Sequence, residues 1–352
     1  MPFASARRGE FARLRGLIAG LPEGEGVLVG PGDDAAVLRG SSDHDLVVTT
    51  DTFVEGRHYR PDLLSPEAVG RRLAAANLSD LAAMAARPRW ATIACTVPPR
   101  GDEAMPRVIE LACAAALAEQ GAAVVGGNLS ASDGPAVWTV TLIGEVARHR
   151  WWAREGARPG DVITTTGHPG RAGAAIALAL WHTPPSLAHV PQELFAAYAR
   201  PQCRVEAALA LASLGVVRAA IDISDGLAAD LAHLCEASGV GVQLREDLLP
   251  ADAPLLEAAR LLAGSLTRER ADIIPAPEAG LFDHLLLGSS DDYELLLAID
   301  PARVQEARYA AANAGAPLHV IGVCTADSSE RTFLRRDGRE EPLPSRGYDH
   351  FA

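Results

Sequence analysis

The sequence contains no lysine: all 32 of its basic residues are arginine. A Walker-type phosphate loop needs its lysine, a protein kinase needs one on its third strand, and a Schiff-base enzyme needs one as nucleophile. All three chemistries are excluded. If this chain handles nucleotide phosphates, metal ions, backbone amides and arginine must neutralise them. Cysteine is also scarce. Cys95, Cys113, Cys203, Cys235 and Cys324 are odd in number, far apart and without a CxxC spacing. That fits reduced core thiols in a cytoplasmic protein better than disulfides or a zinc site. No apolar run approaches the ~20 residues that span a bilayer. The opening MPFASARRGEFARL lacks the apolar segment of a secretory signal. A net charge of -13 leaves no excess of basic residues for general nucleic-acid binding or for an anionic membrane surface, so neither partner is expected.

What is present reads as two globular units. At 352 residues the chain is long enough for two cores. Phe11, Leu14, Leu17, Ile18 and Leu21 predict a helix over 10–21, ended by Pro22 and Gly24. Extended segments follow at 35–38 and 45–52, then a helix from Pro66 to about Met84. A strand at 90–97, a helix at 103–119, a short strand at 122–125 and a longer strand at 136–146 complete the first half. The segment 147–160, ARHRWWAREGARPG, is charged, aromatic and turn-rich, and reads as the junction. Beyond it the order begins again. A strand at 161–166, a Gly/Pro turn and an Ala-rich helix to Trp181 are followed by helices at 192–199 and 204–213. A strand at 219–224, a helix at 226–237, strands at 240–244, 294–299 and 319–324, and a helix at 301–314 complete the pattern. The expected fold is α/β (α+β), with an N-terminal domain over 1–150 and a C-terminal domain over 151–352.

Aspartates gather where this pattern places strand ends and glycine turns. Asp33 and Asp34 lie in GPGDD, and Asp51 ends the run Leu46-Val47-Val48-Thr49-Thr50; His58 follows on a post-glycine loop. Asn77-Leu78-Ser79-Asp80 interrupts a helical pattern. Ile221-Asp222-Ile223-Ser224-Asp225-Gly226 ends a strand in two acids, and Ser290-Asp291-Asp292-Tyr293-Glu294 begins another. Each feature has a plain reading: turn former, polar strand end, exposed helix face, helix cap. Gly126-Gly127-Asn128 suits a simple turn as well as a close approach to phosphate. Asp222 is harder to explain this way, because an unpaired buried carboxylate is costly. Jointly, clustered carboxylates without lysine partners point to Mg2+ ions holding a polyphosphate.

In this order GPGDDAAVL, TTDTFVEGRHY, NLSDLAAM, IDISDGL, DYELL and the terminal GYDHF resemble the thiamine-monophosphate kinases. That family is grouped with aminoimidazole ribonucleotide synthetase and selenophosphate synthetase. The resemblance runs from about Gly9 to Phe351. It implies an N-terminal domain that forms a homodimer, and transfer of the ATP γ-phosphoryl group to thiamine monophosphate. It also implies several Mg2+ ions on Asp34, Thr49, Thr50, Asp51, Asp80, Asp222 and Asp225. Asn128 stands where the family usually has Asp, so one ligand loses its charge. Gly127, Asn128, Arg154 and Ser224 are implied as ATP contacts. His58, Asp291 and Tyr348 are implied as acceptor contacts, Asp291 replacing a usual Glu and Arg171 a frequent acid. These departures leave two alternatives open: a nucleotide-binding paralogue without turnover, and a relative that uses another acceptor.

Overall fold

The computed structural model describes residues 27–29, 33–100, 104–181, 185–250, 252–265, 278–344 and 347–348. The helix expected at 10–21, residues 30–32 of the acidic turn and residues 349–352 of the tail lie outside this set.

Two sheets divide the chain between them. The first holds β1 (Val27–Val29), β2 (Ala36–Leu38), β3 (His44–Val54), β4 (Arg87–Val97), β5 (Ala123–Ala131) and β6 (Val137–Ala147), in the order β1-β2-β3-β6-β4-β5. Its pairings are antiparallel except β4 with β5. The second holds β7 (Val162–Thr166), β8 (Val217–Ile223), β9 (Gly241–Arg245), β10 (Glu294–Ile299), β11 (Leu318–Thr325), β12 (Arg331–Leu334) and β13 (Glu340–Pro342). Its order is β13-β12-β9-β11-β7-β10-β8. Alternation sets the faces of the first sheet: Trp138, Val140 and Leu142 of β6 are buried, while Thr50 and Thr52 of β3 are exposed on the other side.

Helices α1 (Pro66–Ala83) and α2 (Ala104–Glu119) belong to the first half. The second carries α3 (Arg171–Trp181), α4 (Gln192–Ala199), α5 (Val205–Leu214), α6 (Leu227–Ser238), α7 (Ala253–Ser265), α8 (Glu278–Leu287) and α9 (Val304–Asn313). None of the described helices is long and apolar enough to cross a membrane.

α1 organises the whole molecule. It starts where the sequence predicts: the Ser65 hydroxyl accepts from the Ala68 amide at 3.3 Å and Pro66 occupies the first turn. Of its 18 residues, 14 are buried, because it packs on β3, β4 and β6 on one side and on β8, β10, α4 and α5 on the other. A helix covered on both sides keeps only a narrow solvent margin, which Glu67 and Arg71 occupy, and encloses the polar residues elsewhere on it. Arg72, Asn77 and Ser79 are therefore buried, and the exposed face allowed for Asn77 and Ser79 does not exist.

Three segments depart from the pattern read in the sequence. β3 continues past Asp51 to Val54, because Thr52, Phe53 and Val54 keep pairing with Thr139, Trp138 and Val137 of β6. β5 runs through Gly126-Gly127-Asn128, which therefore do not form a turn. A Cβ on Gly127 would lie 2.0 Å from the Ile93 carbonyl oxygen, so this glycine serves strand packing. Helices α7 and α8 and the β12–β13 pair fill a region where no element was expected.

Candidate active site

Four carboxylates from both halves converge where α1 meets the two sheets. β3 turns Thr49 and Asp51 toward α1, and the last turn of α1 supplies Asp80. Asp34 comes from the turn before β2, and Asp222 from β8 at the edge of the second sheet. One oxygen each of Asp34, Asp80 and Asp222 lies within 4.8 Å of the others. The Thr49 hydroxyl donates to Asp80 Oδ2 at 2.5 Å, and Arg154 Nη2 donates to Asp34 Oδ1 at 2.7 Å. Asp34 Oδ2 is buried without a hydrogen-bond partner. Asp33 plays a local part: its carboxylate accepts from the amides of Asp34 at 2.9 Å and Arg154 at 3.1 Å. It ties the acidic turn to the interdomain segment.

The cluster is electrostatically unfinished. Burial pushes Asp34 up to about 6 even though Arg154 pulls the other way. Burial likewise raises Asp51 and Asp222 to about 6. Asp80 goes well above the ordinary range, through burial and then through repulsion from Asp51, Asp222 and Asp34. Hard oxygen donors, mutual repulsion and an unfilled buried oxygen fit a hard divalent cation, which would bind the first and relieve the other two.

The loop after β8 carries Ser224 and Asp225 and is held by a residue that sequence reasoning missed. Asp230, buried in α6, accepts from the amides of Ser224, Asp225 and Gly226 at 3.1, 3.1 and 3.0 Å. A carboxylate in a helix's first turn, four residues past a glycine, is the signal that would have found it. Gly226 is required here. Its φ is +120°, and an added Cβ would lie 2.1 Å from the Gly288 carbonyl oxygen.

A cavity of about 550 Å³ opens from the carboxylates, with Asp51, Asp80, Asp222, Ser224 and Asp225 in its wall. The lining also includes His58, Tyr198, Asp291, Tyr293 and Tyr348, with Leu63, Ile176 and Leu180 as its apolar part. The Val54 amide donates to His58 Nδ1 at 3.0 Å and the imidazole stacks on Phe53, which fixes the ring. Tyr348 is tethered by its own amide to the Asp225 carbonyl at 3.2 Å and remains 44% exposed.

The structure thus brings together Asp34, Thr49, Asp51, Asp80, Asp222 and Asp225 as candidate metal ligands, with Ser224, His58, Asp291 and Tyr348 around the same cavity. Arg154 joins through Asp34. Thr50 is not brought in, because its hydroxyl lies on the opposite sheet face, where it donates to the Val140 carbonyl and shares a hydrogen bond with Thr141. Gly127 and Asn128 are also apart. β5 lies three strands from β3, roughly 14 Å at ordinary strand spacing, and both residues are exposed.

Comparisons with known proteins identify the family. Residues 32–146 match the family model "AIR synthase related protein, N-terminal domain", and residues 158–335 match "AIR synthase related protein, C-terminal domain". Thiamine-monophosphate kinase of Escherichia coli (strain K12) is 34% identical over 326 residues, 93% of each chain. A structure described as "AaThiL complexed with AMPPCP and TMP" superposes with a TM-score of 0.77 at 27% identity, covering 99% of this chain and 100% of that one. The thiamine-monophosphate kinase structure from Stenotrophomonas maltophilia K279a gives 0.71 at 30% identity, over 95% and 96%. With both domain models matched in order around one carboxylate-lined cleft, the chain belongs to the AIR synthase related proteins and, within them, to the thiamine-monophosphate kinase family.

Proposed function

We infer that this protein transfers the γ-phosphoryl group of ATP to thiamine monophosphate, with Mg2+ held by Asp34, Thr49, Asp51, Asp80, Asp222 and Asp225. The observation that carries the reading is the set of buried acids left without sufficient positive charge at the mouth of a cavity large enough for an organic phosphate. In the reaction a phosphate oxygen of the acceptor attacks the γ-phosphorus. The bond to the β–γ bridging oxygen breaks, and ADP leaves with that electron pair. A phosphate monoester is already nucleophilic at neutral pH, so the site needs positioning and charge neutralisation more than a general base. When bound, Mg2+ supplies that neutralisation. Arg154 balances Asp34, Ser224 faces the nucleotide, and His58, Asp291 and Tyr348 surround the acceptor. Thr50, Gly127 and Asn128 are left out of this single-chain site.

We also propose a cytoplasmic homodimer formed through the N-terminal sheet. Its support is apolar exposure on the paired strands β4 and β5 at one end of that sheet, where Trp90 is 41%, Val125 63% and Leu129 72% exposed.

Purified protein given ATP and thiamine monophosphate should form ADP and thiamine diphosphate in equal amounts only when Mg2+ is present, followed by chromatography. A folded protein, verified by circular dichroism, that forms no thiamine diphosphate at saturating Mg2+ would overturn the proposal.

A further inference from the structure

Arg72 is the least expected residue of α1. Its neighbour Arg71 is exposed and pairs with Glu119 across the α1–α2 surface. Arg72 instead has no exposed surface at all. Its Nη1 donates to the Tyr198 carbonyl at 2.5 Å and its Nη2 to Asp291 Oδ2. The guanidinium carbon lies 4.2 Å from the centre of the Tyr198 ring and 5.8 Å from that of Tyr293. Nε has no hydrogen-bond partner. Burying a guanidinium is costly, and a buried ion pair is often no more stable than an apolar replacement of equal volume. Structural filling therefore does not account for a cation at this position.

Its contacts do. Asp291, Tyr198 and Tyr293 all line the cavity, whereas Arg72 lies beneath the lining. Arg72 comes from the first half of the chain and all three partners come from the second. One carboxylate oxygen of Asp291 is taken by the guanidinium, yet the side chain stays 36% exposed.

We propose that Arg72 is a positioning residue for the acceptor. It holds Asp291 so that the second carboxylate oxygen faces the cavity as a hydrogen-bond acceptor for an exocyclic amine on the acceptor's heteroaromatic ring. It also clamps the Tyr198 ring at the wall of the same subsite. This rests on the reading of the cavity as the thiamine monophosphate site and extends it to recognition of the ring's amine.

The test compares thiamine monophosphate with oxythiamine monophosphate, in which that amine is replaced by an oxygen. The wild type should prefer the amine-bearing acceptor by about 100-fold in kcat/KM, because a site built to pair a polar group rejects a mismatched partner. Arg72→Met should reduce the preference to about threefold or less, mainly through KM for the acceptor, with KM for ATP within about twofold of the wild type. Arg72→Lys/Asp291→Glu, which moves one methylene's reach from cation to acid, should recover most of the preference lost in Arg72→Lys. Asp291→Asn should lower or invert the preference, since its amide presents a donor to the ring.

An unchanged preference in Arg72→Lys and Asp291→Asn would overturn the inference. So would a parallel loss in kcat and in both KM values, accompanied by a lower Tm. Wild-type protein that turns over neither acceptor would refute the underlying kinase reading instead. If Arg72→Met does not fold, the Lys and Asn variants decide.

Discussion

Asp252 and Asp80 are both buried aspartates, and the molecule treats them oppositely. Asp252 receives Arg171 at 2.7 and 3.0 Å and faces His168 at 3.3 Å. Burial raises it, but the nearby His168 and the Arg171 guanidinium prevail and bring it down to about 2. Glu294 is likewise gripped on both oxygens by Arg204, each contact at 2.5 Å, and Asp161 is paired with Arg218. At the convergence of α1, β3 and β8 the ion pairs among the described residues give Asp34, Asp51, Asp80 and Asp222 a single guanidinium, that of Arg154. Elsewhere Arg171, Arg204 and Arg218 pair with the buried acids Asp252, Glu294 and Asp161. Acids paired in this way complete the fold, as Asp230 does through three backbone amides, whereas Asp34, Asp51, Asp80 and Asp222 belong to the set we propose to hold a cation.

The sharpest way to break this contrast is to neutralise one acid of each kind. Asp80→Asn and Asp222→Asn should each lower kcat/KM by about 1,000-fold, since each removes charge that holds the neutralising cation. Without Mg2+ neither should lose stability, because each substitution removes repulsion. A fall in Tm comparable to that of an Asp252 variant would erase the distinction. Asp252→Ala should instead cost about 3 kcal/mol in urea unfolding, because it leaves Arg171 without its partner, while activity keeps its dependence on Mg2+.

A smaller effect follows from proton linkage. Asp34, Asp51 and Asp222 sit near 6 in the folded chain, against an ordinary 3.8. In that window the folded state binds more protons than the unfolded one. Their contribution is therefore most favourable below the ordinary value and is lost as pH rises through about 6. Asp252 has the opposite sign, and its contribution is lost only as pH falls toward about 2. Mg2+ should accordingly raise Tm by several degrees more at about pH 8 than at about pH 5, measured by differential scanning fluorimetry. An equal shift at both values would show that the ion binds elsewhere.

Much of this arrangement was legible from local pattern. Pro66 and Ser65 announced α1, and apolar runs flanked by acids announced β8 and β10. What was hidden depends on contacts distant in the chain. Nothing adjacent distinguishes Arg71 from Arg72, yet one meets solvent and the other meets Asp291, 219 residues away. Asp230 looks like any polar residue on a helix until three amides are found converging on it. Gly126-Gly127-Asn128 misled because two glycines suggest a turn, whereas parallel pairing with β4 demands the missing side chain of Gly127. Thr50 is a case of parity: in a strand, neighbours in sequence face away from each other, so Thr49 and Thr50 cannot both turn their side chains to the same ion.

α1 has a further consequence as a gauge of length. Arg72 and Asp80 are eight residues apart, which in an α-helix is about 12 Å of axial rise. In the reading proposed above, Arg72 marks the place of the acceptor's ring and Asp80 the place where phosphate charge collects. A helix enclosed between two sheets cannot stretch or shear to suit a shorter or longer molecule. The separation between ring and phosphate is therefore set by the backbone, and one residue inserted between these positions would swing Asp80 by about 100° and add about 1.5 Å. On that proposal the length of the acceptor is encoded in a count of residues.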